Sequence, residues 1–168
     1  MGWSGTSSGA REPGKLSFHE DGKITYALTD LSRKDIDEYY AGFANSTLWP
    51  LCHYRLDLTD YARKDMAGYF RVNRFFAQQL APHLQADDLV WAHDYHLIPL
   101  AAELRQMGVR NRIGFFMHIP WPPPDVFFAL PVHATILRGL TAYDIIGFQT
   151  QFDADNFGAC LEREGIGN

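Results

Sequence analysis

The sequence has little positive charge, no long hydrophobic run and few cysteines. Its 168 residues carry 15 Lys+Arg against 20 Asp+Glu, a formal net charge of −5. Proteins that hold a nucleic-acid backbone regardless of sequence need an excess of cations, so we expect no nucleic-acid partner. No run of about eighteen apolar residues is present, and we therefore expect no membrane span. The first twenty or so residues lack the basic start and apolar core of a signal peptide.

The two cysteines, Cys52 and Cys160, lie far apart in the sequence. Such usage is typical of reduced thiols and predicts a cytoplasmic protein. Hydrophobic residues make up 46% and charged residues 21%, as in ordinary globular domains. A domain of this size buries roughly 70% of its unfolded surface, so it needs no disulfide to fold. A disordered chain and a disulfide-rich miniature scaffold are both excluded.

The chain divides into a polar opening and one domain. Residues 1–22 are rich in glycine and serine, which predicts a mobile segment, and residues 23–168 form the domain, beginning with a short strand. Ser32 has an acidic residue three positions later, a pattern that begins helices. This helix is expected to end near Asn45, and Trp49 should lie in a loop because the proline after it disfavours helical backbone.

The second half alternates apolar runs with helical patterns. A helix is predicted over 63–80, and then three short apolar runs without polar alternation occur at 89–92, 113–119 and 144–148. Strands that are apolar on both sides and alternate with helices are typical of a parallel sheet covered on each face. The sequence therefore predicts an α/β fold with a doubly wound, Rossmann-like parallel sheet.

Polar side chains follow each predicted strand, where α/β sheets bind ligands. Asp94, Tyr95 and His96 come after the first run, His118 ends the second and Gln149 follows the third. Because successive strands are often neighbours, we expect Asp94 and His118 to face one cleft.

Each of these residues also has a purely structural interpretation. Asp94 has the residue type of a helix cap, and His118 fits a hydrogen-bonded core histidine equally well on spacing alone. Aromatic side chains such as those of Tyr40 and Trp49 pack in cores and loops as well as stack on sugar rings. The sequence pattern leaves these alternatives open.

A metal site and the common phosphate loops are not expected. His93 and His96 flank a strand-to-helix turn and need not converge, and no cysteine or glutamate completes a ligand spacing. Neither a dinucleotide-binding glycine motif, nor a P-loop, nor a nucleophile elbow is present. The sheet pattern gives a location for a site but names no reaction, and we expect no cofactor.

Several ordered stretches together resemble the trehalose-6-phosphate synthase family of retaining glycosyltransferases. They are Tyr39-Tyr40, Leu48-Trp49-Pro50, His53-Tyr54-Arg55-Leu56-Asp57, the run 91–97 (WAHDYHL), the run 111–120 (NRIGFFMHIP), Tyr143-Asp144 and the run 147–150 (GFQT). The likeness extends from Trp3 to about Gly165. It implies the incomplete N-terminal half of a two-domain GT-B enzyme, which transfers glucose from UDP-glucose to glucose 6-phosphate with retention of configuration.

The resemblance also implies roles for individual residues. Tyr40 and Asp94 match acceptor-binding positions, Trp49 matches a wall beside the acceptor sugar, and His118 matches the histidine near the donor sugar. Ile119 matches a position that shapes the same pocket, and Tyr95 matches the acceptor side. On this basis we expect Asp94 and His118 to be the residues closest to the reaction, with Asp94 as a binder rather than a nucleophile.

The chain departs from the family pattern at both ends. The resemblance implies that the family's first strand and glycine-rich donor loop would lie before the stretch matched here, and its C-terminal donor domain after it. We therefore expect residues 23–168 to be a partial acceptor-binding domain with little activity alone, and with an exposed sheet edge that favours homo-oligomers. A synthase with another acceptor, such as glycerol 3-phosphate, and a catalytically silent regulatory subunit remain alternatives.

Overall fold

A computed structural model describes residues 1–7 and 14–167. Its strands are β1 (Gly2–Ser7), β2 (Ser17–Asp21), β3 (Ile24–Leu31), β4 (Leu89–His93), β5 (Arg112–Phe116) and β6 (Ile145–Gly147). Its α-helices are α1 (Arg33–Asp35), α2 (Trp49–Cys52), α3 (Arg63–Leu80), α4 (Leu100–Gln106), α5 (Pro124–Phe127), α6 (His133–Leu140) and α7 (Gln151–Glu164). A π-helical segment, Ile36–Leu48, joins α1 to α2.

The described strands form two three-stranded sheets. The first has the order β1-β3-β2, with β1 parallel and β2 antiparallel to β3. The second has the order β4-β5-β6 and is parallel throughout. The three apolar runs therefore form adjacent parallel strands, as the sequence predicts. Their carboxyl ends meet at one edge, because His93 is the register partner of Phe116.

Helices cover one face of the β4-β5-β6 sheet, and the other face is open among the described residues. Ile113 and Phe115 of β5 are fully buried on the covered side. On the opposite side Leu89, Trp91 and Ile145 are 76%, 54% and 60% exposed. The expectation of a sheet covered on both faces is thus met on one face only, and the other presents an apolar surface to solvent.

The polar opening contains more regular structure than the sequence predicts. Within 1–22, Gly2–Ser7 and Ser17–Asp21 are the strands β1 and β2, which the composition does not predict; the mobility of the segment stays a prediction. Both strands gain backbone hydrogen bonds from β3: β2 forms a hairpin with it across the two-residue turn Gly22-Lys23, and β1 pairs with residues far along the chain, such as Gly2 with Leu28. The prediction for residues 8–13 lies outside the described residues.

The first long helix begins where predicted and ends later. Ser32 caps it, with Oγ accepting the N–H of Asp35 at 3.1 Å. The helix continues past Asn45 through α2, so the expectation of a loop at Trp49 is wrong. The N–H of Trp49 donates to the carbonyl of Ala44, a π-type bond. Proline is tolerated in the first turn of the α-helical stretch that follows, because an N–H is dispensable there.

Helix α3 spans Arg63–Leu80, as the sequence predicts, and packs against the π-helical segment and α4. Gly68 allows a close approach, because a Cβ there would lie 2.4 Å from the Cβ of Glu38. Among the described residues no helix is long and apolar enough to cross a membrane.

Candidate functional site

A polar crevice lies at the carboxyl ends of β4 and β5. The N–H of Asp94 donates to the carbonyl of Phe116 at 2.8 Å, which extends the strand pairing beyond β4. The N–H of His118 donates to Oδ1 of Asp94 at 3.3 Å. The prediction that Asp94 and His118 share one rim of adjacent strands is confirmed.

Asp94 has a strained backbone, with φ +72° and ψ 164°. Residues other than glycine rarely adopt this region, and such strain concentrates at functional sites. Its Oδ1 accepts the N–H of Tyr95 at 2.9 Å as well as that of His118. Among the described residues no hydrogen bond engages Oδ2. Asp94 therefore caps the turn Tyr95–Leu97 with one oxygen and leaves the other without a hydrogen-bond partner among the described residues, so the capping role does not exclude a binding role.

Helix α3 holds the turn that follows Asp94. The hydroxyl of Tyr69 donates to the carbonyl of Tyr95, and Nδ2 of Asn73 donates to the carbonyl of His96 at 3.0 Å. Complete burial raises the pKa of Tyr69 well above its usual range, which keeps the phenol protonated as a donor. The buried side of the crevice is therefore attached to the core rather than to a flexible loop.

His118 is exposed at the rim, which excludes its interpretation as a buried core histidine. Its carbonyl accepts a hydrogen bond from Nε2 of Gln149 at 2.7 Å, so a residue beyond the third strand also reaches the site. Nε2 of the His118 ring lies 2.9 Å from Nδ1 of His93.

Tyr40 reaches the crevice from the π-helical segment. Its ring stacks on that of His96, with centroids 5.3 Å apart and an interplanar angle of 15°. Burial lowers the pKa of His96, and the charge of Asp94 only partly opposes this, so the neutral ring is favoured. Tyr40 is 39% exposed, and its ring also contacts that of Trp3, with centroids 5.1 Å apart and planes tilted by 58°.

Tyr95 is a buried support. Its hydroxyl donates to Oδ1 of Asn45 at 2.7 Å, and its N–H donates to Asp94. Burial raises the pKa of Tyr95, and the nearby Asp94 carboxylate adds to the increase. The phenol stays protonated, and its oxygen retains acceptor capacity.

Trp49 lies apart from this cluster in the contacts of the described residues. It is 41% exposed on α2, and its indole stacks on His53 with centroids 4.0 Å apart. No ring contact or hydrogen bond of the described chain joins it to Asp94 or His118. Ile119 is half-buried beside His118 and packs against the core.

The cluster suits hydrogen bonding and stacking more than metal or thiol chemistry. No three His, Cys, Asp or Glu side chains of residues 1–7 and 14–167 are placed to share a metal ion. Cys52 is fully buried, and burial raises the pKa of its thiol, so it remains protonated and unreactive. The crevice offers a carboxylate oxygen, an imidazole and an aromatic face.

Sequence reasoning missed the residues that support the site. Asn45, Tyr69 and Asn73 lie on helices, and only tertiary packing joins them to the turn after Asp94. The contact between His93 and His118 could have been predicted from the sequence. The two residues lie at the ends of successive predicted strands, and adjacent parallel strands place their ends side by side.

Comparison with known proteins gives a consistent family. Glycosyltransferase family 20 matches residues 1–164. Trehalose-6-phosphate synthase of Sinorhizobium fredii is 67% identical over 168 residues, which are 100% of this chain and 36% of that protein. The enzyme of the same name from Escherichia coli K12 is 51% identical over 163 residues, 97% of this chain and 34% of that protein.

Solved structures agree with the sequence relatives. An E. coli structure bound with UDP-2-fluoro glucose is 50% identical, with a TM-score of 0.92, over 96% of this chain and 35% of the other. The α,α-trehalose-phosphate synthase (UDP-forming) of Burkholderia xenovorans, in complex with glucose 6-phosphate, is 48% identical, with a TM-score of 0.93, over 96% of this chain and 36% of the other. These matches confirm the Rossmann-like α/β fold, here as part of a larger protein.

The chain spans about a third of the length of the relatives it matches. Since the family pattern extends over residues 1–164, this chain belongs to glycosyltransferase family 20.

Proposed function

We propose that the chain is the acceptor-binding part of a retaining glycosyltransferase that transfers glucose from UDP-glucose to glucose 6-phosphate and forms trehalose 6-phosphate. The observation that carries this proposal is the rim where Oδ2 of Asp94 stays open beside His118, in a chain 67% identical to a trehalose-6-phosphate synthase. The glucose 6-phosphate complex of a 48% identical relative supports the acceptor.

In this proposal Asp94 and Tyr40 bind the acceptor sugar. A carboxylate oxygen with no internal partner accepts a sugar hydroxyl, and a charge-assisted bond of this kind is roughly twice as strong as a neutral one. Tyr40 supplies an apolar face held by its stack on His96. The family resemblance supports Trp49, which is 41% exposed, as a wall on the acceptor side and Ile119 as part of the pocket. The buried Tyr95 supports the acceptor side by donating its N–H to Asp94.

His118 approaches the donor sugar, and positioning carries the rate. Asp94 acts as a binder rather than a nucleophile, because two backbone N–H groups hold its Oδ1 in a fixed orientation. A retaining hydrolase instead places two carboxyl groups about 5–5.5 Å apart. Fixed hydrogen-bonding groups then lower the barrier by orienting the two substrates and stabilising developing charge.

The sheets support the proposal of a partial domain over residues 23–168, to which the strands β1 and β2 of residues 1–22 add through β3. Among the described residues β1 and β4 each pair on one side, and a cavity of about 340 Å³ lies between them, lined by Trp3, Val90 and Ala92 among others. An additional parallel strand in that cavity would join the two sheets. The open edge also supports self-association of this chain, and its free buried cysteines support a reducing, cytoplasmic setting.

Two measurements test the proposed function. We expect the chain alone to release no UDP from UDP-glucose and glucose 6-phosphate, since the groups that hold the nucleotide belong to the rest of the enzyme. Turnover near that of a complete synthase would contradict the partial-domain proposal.

Binding to the isolated chain tests the acceptor site directly. Glucose 6-phosphate should shift the amide signals of Asp94 and His118 in NMR spectra, and Asp94→Asn should weaken this binding. A stronger response to glycerol 3-phosphate would indicate a synthase with another acceptor. The absence of any response to either ligand would favour a silent subunit.

A further inference from the structure

His93 contacts His118 through its side chain at the rim of the crevice. Nδ1 of His93 lies 2.9 Å from Nε2 of His118, and the rings are nearly parallel, 26° apart with centroids 5.2 Å apart. An N···N contact of this length requires one proton between two nitrogens. One ring therefore donates and the other accepts.

This contact couples the tautomers of the two rings. A neutral imidazole carries its proton on one of its two ring nitrogens. A hydrogen bond to either nitrogen determines which of them is protonated. If His93 donates, the proton of His118 is on Nδ1, which then donates to a ligand. If His118 donates, its Nδ1 is an acceptor.

The rest of His118 is already held in place. Its N–H donates to Asp94 and its carbonyl accepts from Gln149, so the backbone is fixed from two sides. The torsion angles of the His118 side chain are not fixed by these backbone hydrogen bonds. The neighbouring rings of Phe116, 4.8 Å from His118, and Trp91, 6.2 Å from His93, pack against the pair without offering a charge.

We propose that His93 is a positioning residue that fixes the tautomer and ring orientation of His118. Nδ1 of His118 then presents a single hydrogen-bonding role to the crevice. The identity of the group that uses it, a hydroxyl of the donor sugar, rests on the proposed function. The coupling itself is a property of the free chain and can be measured without substrate.

The test is NMR of the 168-residue chain with ¹⁵N-labelled histidine at about pH 8, where free imidazoles are neutral. In His93→Leu we expect the ratio of the two His118 tautomers to change about 2- to 10-fold, the range that one net hydrogen bond gives. His93→Asn, whose amide places a donor or acceptor close to the former Nδ1, should restore the ratio. The control His19→Leu, an exposed histidine on β2, should leave it unchanged.

The outcomes separate the coupling from a merely structural role. An unchanged ratio in His93→Leu overturns the proposal, and so does an equal change in the Leu and Asn variants. The reciprocal variant His118→Leu should change the tautomer ratio of His93, which gives a second measurement if one variant folds poorly. A chain with coupled histidines that binds neither UDP-glucose nor glucose 6-phosphate would support this inference and contradict the proposed function.

Discussion

The strained backbone of Asp94 leads to a quantitative prediction about two substitutions. Asp94→Ala and Asp94→Gly both remove the acceptor for the N–H groups of Tyr95 and His118, so that loss cancels when the variants are compared. At φ +72° an alanine keeps the strain, which costs about 1–3 kcal/mol, and a glycine relieves it. Glycine also gives the unfolded chain more conformational entropy than alanine, which lowers the stability of the Gly variant by about 0.4–1 kcal/mol. The centres of these ranges differ by about 1.3 kcal/mol, so the Gly variant should be more stable than the Ala variant by about that amount.

Urea unfolding followed by tryptophan fluorescence measures this difference. With slopes of about 1–3 kcal/mol/M, the midpoint of Asp94→Gly should lie roughly 0.5–1 M above that of Asp94→Ala. Equal midpoints, or a more stable Ala variant, would refute the assignment of strain to this backbone.

Asp94→Asn separates the two oxygens of the side chain. Asparagine keeps an acceptor for the two N–H groups and tolerates positive φ, so stability should stay within about 0.5 kcal/mol of the parent chain. It replaces the open carboxylate oxygen with an amide, and a hydrogen bond to a charged group contributes about 1.5–3 kcal/mol. Glucose 6-phosphate should bind about 10- to 100-fold more weakly, measured by NMR titration. Undiminished binding would place the acceptor elsewhere.

Three further predictions concern packing, pH and association. Gly68→Ala should destabilise the chain by about 1–3 kcal/mol, since the new Cβ would lie 2.4 Å from the Cβ of Glu38 on the π-helical segment. The matched control is Gly158→Ala, whose new Cβ would have nothing within 4 Å and should stabilise the chain by about 0.5–1 kcal/mol. Urea unfolding measures both. Because burial lowers the pKa of His96, the unfolded state takes up a proton first, so stability should fall as pH decreases below about 6.5. His96→Gln should lessen this fall. If the urea midpoints of the parent chain and of His96→Gln fell equally between about pH 7 and 5, the assignment of the effect to His96 would be wrong. Ile145→Lys on the open sheet face should reduce the concentration-dependent association measured by sedimentation velocity. The control Phe152→Lys, at a residue 64% exposed on α7, should leave it unchanged. An equal effect of both would show that the open sheet face is not the contact surface.

The second half of the fold could be predicted because its signals are local. Apolar runs without alternation identify strands buried in a parallel sheet, and Thr150 caps α7 by accepting the N–H of Asp153, as its residue type suggests. In the first half the start at Ser32 and helix α3 were predicted, but β1 was not, because it depends on pairing with β3 far along the chain. The hairpin of β2 and β3 was also missed, although Asp21-Gly22 at its turn is a local hairpin signal. The π-helical segment was also hidden, since a shift from i−4 to i−5 bonds leaves no clear pattern in the sequence.

The candidate site shows the same division. The rule that parallel strands place their carboxyl ends together was sufficient to bring Asp94 and His118 to one rim. It could not reveal which carboxylate oxygen stays open, because that depends on the backbone angle of Asp94 and on the N–H groups of Tyr95 and His118, the second of which lies 24 positions after Asp94. The supporting bonds from Tyr69 and Asn73 are equally nonlocal.

If the proposed function holds, the way the crevice is supported predicts that this chain binds the acceptor even without catalysis. The groups that orient Asp94 come from Phe116 at the end of β5, from the exposed His118 that follows, and from its own turn, which buried side chains of α3 hold in place. The open regions are the outer edge of β4 and the apolar sheet face, and neither carries the hydrogen bonds that hold Asp94. A site preorganised by its own core binds a ligand without first ordering a loop, which saves the entropy of that step. Acceptor binding should therefore be separable from sugar transfer in this part of the enzyme.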